Sequence, residues 1–160
     1  MLIEFRVGNY RSVQEPQALS MVAGSGKELT ANVCSSEADS KLELLRSAVV
    51  YGANAAGKSN LIRALHFMRH FVLSSAKESQ QGEKISVDSF LFDKKYSSLA
   101  SKFEVTFTKN KVRYQYGFEL DKNRIYEEWL FAYPSGRMQQ WFHRVYDKKR
   151  VLIYGNSVSF

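Results

Sequence analysis

One eight-residue segment constrains this chain more than any other feature, because it fits the pattern G-x-x-x-x-G-K-[ST]. In such a segment, successive backbone N–H groups curl around a phosphate, and the glycines let the backbone approach the anion closely. The ammonium of the lysine lies against the terminal phosphates, and the hydroxyl of the serine ligates a magnesium ion. The sequence therefore predicts a site for nucleotide phosphates and Mg²⁺ at Gly52, Ala53, Asn54, Ala55, Ala56, Gly57, Lys58 and Ser59.

The residues on both sides of the segment fit a phosphate-binding loop. A short apolar run at 46–51 precedes it and indicates a buried strand. After it, apolar residues recur at helical spacing, which predicts a helix from Lys58 to about Ser74. This apolar stripe consists of Leu61, Leu65, Met68 and Val72. A chance match on a structural turn, the alternative, leaves both flanking elements unexplained.

Composition excludes several classes of protein. The 160 residues are 44% hydrophobic and 24% charged, which is ordinary for one globular domain. The single cysteine excludes an internal disulfide, and no apolar run approaches the about 20 residues that span a bilayer. We therefore expect a cytoplasmic protein without a membrane partner. The net charge of +7 permits polyanionic partners such as DNA or RNA.

The last third of the chain changes to a period of two, which indicates strands. Tight turns between these strands predict an antiparallel meander with strands at 103–107, 112–120, 125–133, 138–146 and 151–154. Further strands are expected at 2–7 and 17–22, and loops at 23–40 and 75–88. We divide the chain into the P-loop strands and helix (1–75), a connecting loop (76–101) and an antiparallel β-subdomain (102–160).

No catalytic residue is identifiable in this sequence. Hydrolysis needs a carboxylate that holds the water shell of the metal, and Asp93, which follows a short apolar run, fits a strand end or loop better. Glu127 and Glu128 lie in an alternating strand, so they are predicted to point to opposite faces. His66 and His70 have the spacing of metal ligands, but without a third ligand we favour surface or partly packed histidines. The aromatic residues of the meander fit the core side of a sheet better than a surface for stacked bases.

Several segments carry a resemblance to a known family. The N-terminal strand followed by Asn9-Tyr10-Arg11-Ser12, and the loop followed by Asn60, resemble the recombination and chromosome-maintenance branch of the ABC-type ATPases. Three further segments, 117–120, 125–130 and 134–137, resemble a narrower group of ATPases. With them, the chain is similar to prokaryotic AAA-type ATPases of the RloA-like and AbiL-like kind, which are relatives of the OLD family and have heads like those of RecF and SMC proteins.

The resemblance implies an α/β fold. The chain would be the first lobe of an ABC-type ATPase head, a P-loop NTPase unit of strand, P-loop and helix with an antiparallel β-meander subdomain. The implied cofactors are ATP and Mg²⁺, and Asn54, Asn60 and Arg11 would lie near the nucleotide. For Arg11, a purely structural role is an equal alternative. Ala55 stands where the wider branch prefers glycine, and we expect its methyl group to be tolerated if its φ is negative.

The resemblance also implies partners. Such heads have a second lobe with a signature motif, an Asp-Glu pair and a switch histidine, none of which occurs in this sequence. We therefore expect an N-terminal piece or one part of a split protein, completed by a second lobe or by a second copy in a head-to-head dimer. DNA and a nuclease effector are the further partners, in DNA transactions or phage defence. The alternatives are a non-catalytic basic β-rich module that binds nucleic acid or a partner subunit, and a small complete kinase-like enzyme.

Overall fold

The computed structural model describes residues 1–26, 28–75, 84–147 and 150–154. The strands in these parts of the chain are β1 (Leu2–Gly8), β2 (Gln17–Ser20), β3 (Val33–Ser35), β4 (Glu43–Leu45), β5 (Ser101–Lys109), β6 (Val112–Leu120), β7 (Ile125–Tyr133), β8 (Gln139–Asp147) and β9 (Arg150–Tyr154). The helices are α1 (Lys58–Ser75) and α2 (Lys94–Ser97), with short 3-10 segments at Thr30–Asn32 and Pro134–Gly136.

Most of the strands form one antiparallel sheet, in the order β2-β1-β5-β6-β7-β8-β9. The alternating pattern of the last third predicts β5 to β9, and the structure confirms these strands. The turn between β5 and β6 consists of Asn110 and Lys111, which both have positive φ, as a two-residue hairpin with the right-handed strand twist requires. Strand β1 pairs directly with β5, with Val7 opposite Phe103, so the N-terminal strands and the meander share one sheet.

Helix α1 packs across one face of this sheet, and the core lies between them. Its buried face carries Ala64 and Met68, with Leu61 and Leu65 partly buried beside them. The predicted stripe is thus confirmed for Leu61, Leu65 and Met68, whereas its last member, Val72, is exposed. The opposing sheet residues include three fully buried phenylalanines, Phe5, Phe103 and Phe118. No helix within the described parts of the chain has the length and apolar content needed to cross a bilayer.

The segment before the loop departs from the prediction of a buried strand. Residues 46–51 form no strand, and the side chains of Val49, Val50 and Tyr51 are 71%, 42% and 87% exposed. A buried strand needs a neighbouring strand and a layer of side chains over its faces. Among the residues that the structure describes, nothing bonds to the backbone of residues 48–51, so the predicted strand is wrong for this structure.

Two short elements occur where the sequence predicts loops. Strand β3 lies within 23–40, which has the composition of a loop, and it pairs with β4 with Val33 opposite Leu45. Leu44 of β4 is fully buried. Helix α2 begins after Asp93, whose carboxylate accepts a hydrogen bond from a backbone N–H of the helix's first turn. Of the loop predicted at 75–88, residues 76–83 lie outside the described residues, as does the turn predicted at 148–149.

Candidate nucleotide-binding site

Residues 52–57 connect the exposed apolar run to helix α1 and form a tight loop. The N–H of Ala56 donates to the carbonyl of Ala53 at 3.2 Å, which closes a turn inside the loop. Two residues have positive φ, Ala55 at 63° and Gly57 at 87°. Through these two positions, the backbone turns from the loop into the first residue of the helix.

The conformation of Ala55 does not meet the condition under which its methyl group was expected to be tolerated, a negative φ. At φ 63° this residue lies in the left-handed region, where the Cβ atom approaches the following carbonyl oxygen. The cost for a residue other than glycine is about 1–2 kcal/mol. The methyl group is therefore strained, and glycine would relieve that strain.

The loop presents a set of unpaired backbone N–H groups. Within the described parts of the chain, no protein group accepts a hydrogen bond from the amides of Asn54, Ala55, Gly57, Lys58 and Ser59. The N–H groups of a first helical turn have no acceptor within the helix, and the helix dipole adds positive potential at this end. This arrangement can bind an anion, above all a phosphate group.

The side chain of Lys58 folds back onto the loop. Its Nζ atom donates to the carbonyls of Gly52 and Ala53, each at 2.6 Å. The ammonium is thus held over the loop by main-chain oxygens, close to the unpaired amides. Ser59 is exposed, and its hydroxyl has no partner among the described residues, so it can ligate a metal ion. Asn54 is exposed as well.

The turn that follows β1 packs directly against the loop. The Oγ atom of Ser12 lies 2.9 Å from the position that a Cβ atom on Gly57 would occupy. The same Oγ accepts a hydrogen bond from Nδ2 of Asn60 at 2.7 Å, and Arg63 donates to Oδ1 of Asn60 at 3.1 Å. The structure therefore places Asn60, a predicted nucleotide contact, as a bridge between the helix and this turn.

Arg11 lies in the same turn and is paired with Asp88. Its backbone N–H donates to the carbonyl of Asp88 at 2.8 Å, and its guanidinium lies 2.9 Å from the carboxylate. Its Nε atom is buried and has no partner in the described parts of the chain. Burial raises the pKa of the neighbouring Tyr10 hydroxyl, and the charge of Arg11 opposes that rise. Arg11 thus holds the turn through its pairing with Asp88. Its unpaired Nε–H belongs to the residue directly before Ser12, which contacts the loop.

Asn9 is a structural residue that the sequence analysis did not single out. It is buried, with φ 51°, and its amide binds the chain between β1 and β5. Its Nδ2 atom donates to the carbonyls of Tyr96, Leu99 and Ala100. Its Oδ1 atom accepts a hydrogen bond from the N–H of Phe90. The available signal was its place at the head of the Asn-Tyr-Arg-Ser segment, where asparagine tolerates a left-handed backbone.

The remaining candidate residues have partners that explain them. Glu127 and Glu128 point to opposite faces, as predicted, and bind His143 at 2.8 Å and Arg144 at 2.6 Å. Asp93 caps helix α2. Both histidines of α1 are exposed, and the described residues contain no group of three side chains suited to hold a metal ion.

A mixed α/β fold with a G-x-x-x-x-G-K-S loop at a helix N-terminus is typical of nucleotide-binding P-loop domains. Residues 47–156 match the model of a family described as "AAA domain, putative AbiEii toxin, Type IV TA system". Because this match covers well over half of the chain, the protein belongs to that family of AAA domains. A search of curated proteins found no significant match.

Proposed function

We propose that this chain binds Mg-ATP through the loop at 52–59. The observation that carries the proposal is the cluster of unpaired backbone amides at the start of α1, with the ammonium of Lys58 held beside them. Phosphate oxygens are better acceptors for this ammonium than the two carbonyls that bind it now, because they carry a full negative charge. When a nucleotide binds, the ammonium of Lys58 therefore exchanges two neutral carbonyl acceptors for charged phosphate oxygens.

The residues of the loop suit a magnesium ion as well. Magnesium in nucleotide sites is held by few protein ligands, and the phosphates and waters complete its coordination. The hydroxyl of Ser59 is exposed and unpartnered among the described residues, which fits that role. When bound, the ion neutralises charge on the phosphates. Asn54 in the loop, Asn60 in the first turn of α1 and Arg11 in the turn after β1 complete the proposed contact set, and contact with the nucleotide would require Asn60 and Arg11 to exchange their present partners.

The wider role is also proposed: the chain acts as the first lobe of an ABC-type ATPase head of the RloA-like or AbiL-like kind. It would work in DNA transactions or phage defence, with DNA and a nuclease effector as partners. The family description, which names a toxin of a type IV toxin–antitoxin system, supports a defence role. We keep the division into 1–75, 76–101 and 102–160, and we propose that hydrolysis needs a second lobe or a second copy.

Exposed apolar residues next to the loop support the proposal that a further structural element packs against this region. Val49 and Tyr51 are exposed, and the backbone of 48–51 is unpaired within the described chain. Near the start of α1, Ile62 is exposed as well. Apolar side chains and unpaired backbone groups in one region favour a further layer of structure that pairs with the run and covers the helix.

A thermal unfolding experiment tests nucleotide binding. Mg-ATP at about 100 times its dissociation constant stabilises a binding protein by roughly 2.7 kcal/mol, a shift of about 5–10 °C for a domain of this size. Lys58→Ala should abolish the shift. Lys109→Ala removes the same charge from an exposed strand end far along the sheet, and it should leave the shift intact. A folded parent that shows no shift with Mg-ATP would refute binding by this lobe alone.

The second candidate function is the basic interaction module, which the net charge of +7 favours. Binding to DNA through phosphate contacts falls steeply with salt and does not need the loop lysine. DNA affinity measured at two salt concentrations, for the parent and for Lys58→Ala, therefore separates the two functions. DNA binding that persists in Lys58→Ala, together with no response to Mg-ATP, would favour the module.

A further inference from the structure

A second polar cleft lies at the other end of the sheet from the loop. It has a volume of about 370 Å³ and lies between the β3–β4 connection and the ends of β5, β6 and β7. Its walls include the side chains of Ser36, Thr108, Arg113 and Tyr133. Ser36 and Thr108 are buried, so the cleft is part of the fold and is not a shallow surface dent. Its volume lies within the range of small-molecule sites.

The side chain of Arg113 lies in this cleft and packs against an aromatic ring. Its guanidinium lies 4.0 Å from the centre of the Tyr133 ring, a close cation–π contact. In the part of the chain that the structure describes, no carboxylate pairs with it and no group accepts its hydrogen bonds. A guanidinium that packs against a ring through its central carbon still has N–H donors with which it can bind a planar pair of oxygens.

The ring beneath Arg113 is itself held in place. The hydroxyl of Tyr133 donates to Gln115 at 2.9 Å, and Gln115 donates to the buried carboxylate of Glu104 at 2.9 Å. Trp129 donates to the same carboxylate oxygen at 3.1 Å. This chain of hydrogen bonds fixes the ring, so the guanidinium is oriented before any ligand arrives. Such preorganisation lowers the entropy cost of binding.

The sequence around the cleft carries balanced charge. The charged residues that line it or adjoin its lining residues in sequence are equal in number, with Lys41, Lys109, Arg113 and Arg137 against Glu4, Glu37, Asp39 and Glu43. Asp39 lines the cleft but forms no ion pair with Arg113. The selection of an anion therefore rests on Arg113, whose guanidinium has no carboxylate partner among the described residues.

We propose that this cleft binds a small ligand through an oxyanion, a carboxylate or a phosphate, and that Arg113 stacked on Tyr133 is its main contact. The hydroxyls of Ser36 and Thr108 supply further donors at the buried end. The site is separate from the loop at 52–59 and does not depend on nucleotide binding there.

Amide resonances in a ¹⁵N-labelled sample test the proposal, with inorganic phosphate and acetate as the two probes. Phosphate should shift the signals of Ser36, Thr108 and the Arg113 side chain in a saturable way. The signals of 52–59 report separately on the phosphate-binding loop. Acetate distinguishes the ligand class, because a cleft that prefers carboxylates binds it at least as tightly as phosphate.

Three variants decide the outcome. Arg113→Gln should abolish saturation at the cleft and leave the loop signals unchanged. Arg113→Lys keeps the charge but loses the paired donors, so affinity should fall by about tenfold. Lys111→Gln removes the same charge from the neighbouring turn and should change affinity by no more than about twofold. The proposal is overturned if neither probe saturates the cleft of the folded parent, or if Lys111→Gln weakens binding as much as Arg113→Gln.

Discussion

Replacing Gly57 with alanine tests how far the shape of the loop determines nucleotide affinity. Its φ of 87° strains any residue with a Cβ atom, at a cost of about 1–2 kcal/mol. The new Cβ would also lie 2.9 Å from Oγ of Ser12, so that side chain must rotate and lose its bond to Asn60, which costs about 0.5–1.5 kcal/mol. Together the two effects amount to about 1.5–3.5 kcal/mol.

This free energy is lost as stability or as affinity, according to whether the loop can relax. If the loop keeps its shape, the variant unfolds at a temperature about 3–14 °C lower and binds Mg-ATP with nearly normal affinity. If the empty loop relaxes, the unfolding temperature changes little, and the dissociation constant rises by roughly 10-fold to 300-fold. Calorimetric titration with Mg-ATP and a thermal scan of the same samples measure both terms.

Two comparisons make the test specific. In a Ser12→Gly background the contact is absent, so Gly57→Ala should cost about 1 kcal/mol less than in the parent. Gly26→Ala is the matched control, since a Cβ there meets no atom within 4 Å and its φ is not positive. If Gly57→Ala leaves both the unfolding temperature and the Mg-ATP affinity unchanged, the loop conformation described here does not matter for binding.

Three other perturbations probe the surrounding fold. Gly117→Ala would bring a Cβ atom within 2.3 Å of the Trp129 ring, so urea unfolding should show a loss of at least about 1–3 kcal/mol. A Trp129→Ala background should recover only part of this loss, because the carbonyl oxygen of Phe103 lies 2.8 Å from the same Cβ position. Asn9→Ala leaves several buried backbone groups unpaired and should lower the free energy of unfolding by about 2–5 kcal/mol, whereas retained stability would contradict the assigned hydrogen bonds. Burial acts to raise the pKa of Asp121, but hydrogen bonds from its own turn lower it below the ordinary value. The ionised carboxylate of Asp121 therefore stabilises the fold fully above about pH 4, and this stabilisation is lost as pH falls further. The difference in the free energy of unfolding between the parent and Asp121→Asn should therefore shrink in acid.

The elements that the sequence predicted correctly are those with a local cause, whereas the apolar run at 46–51 predicted a strand that the structure does not contain. The apolar stripe of α1 and the alternation of β5 to β8 follow from residues two to four positions apart. The loop pattern predicted that a helix begins at Lys58, and the structure confirms it. Tight turns such as 110–111 are also local, because the two residues must both accept a positive φ.

The features that the sequence did not predict depend on contacts between distant residues. Asn9 binds carbonyls about 90 positions further along the chain, as the bond to Leu99 illustrates with its separation of 90 residues. The pairing of Arg11 with Asp88 has the same character. The left-handed φ of Ala55 follows from the path of the loop into α1, which no spacing of apolar residues encodes. Short strands such as β3 offer too few residues to show a period.

The unpaired run before the loop bears on the affinity that the isolated chain can show. One end of the loop is anchored, since Ser12 bonds to Asn60 in the first turn of α1. The other end follows residues 48–51, whose backbone bonds to nothing in the described parts of the chain. Because this end is unpaired, Lys58 binds loop carbonyls and Ala55 is strained, we expect the loop to sample conformations other than the one that binds phosphate. Apparent affinity falls by the fraction of molecules in the competent conformation. A lobe that pairs with 48–51 would therefore raise nucleotide affinity without touching the nucleotide, and by linkage the nucleotide would strengthen the attachment of that lobe by the same factor.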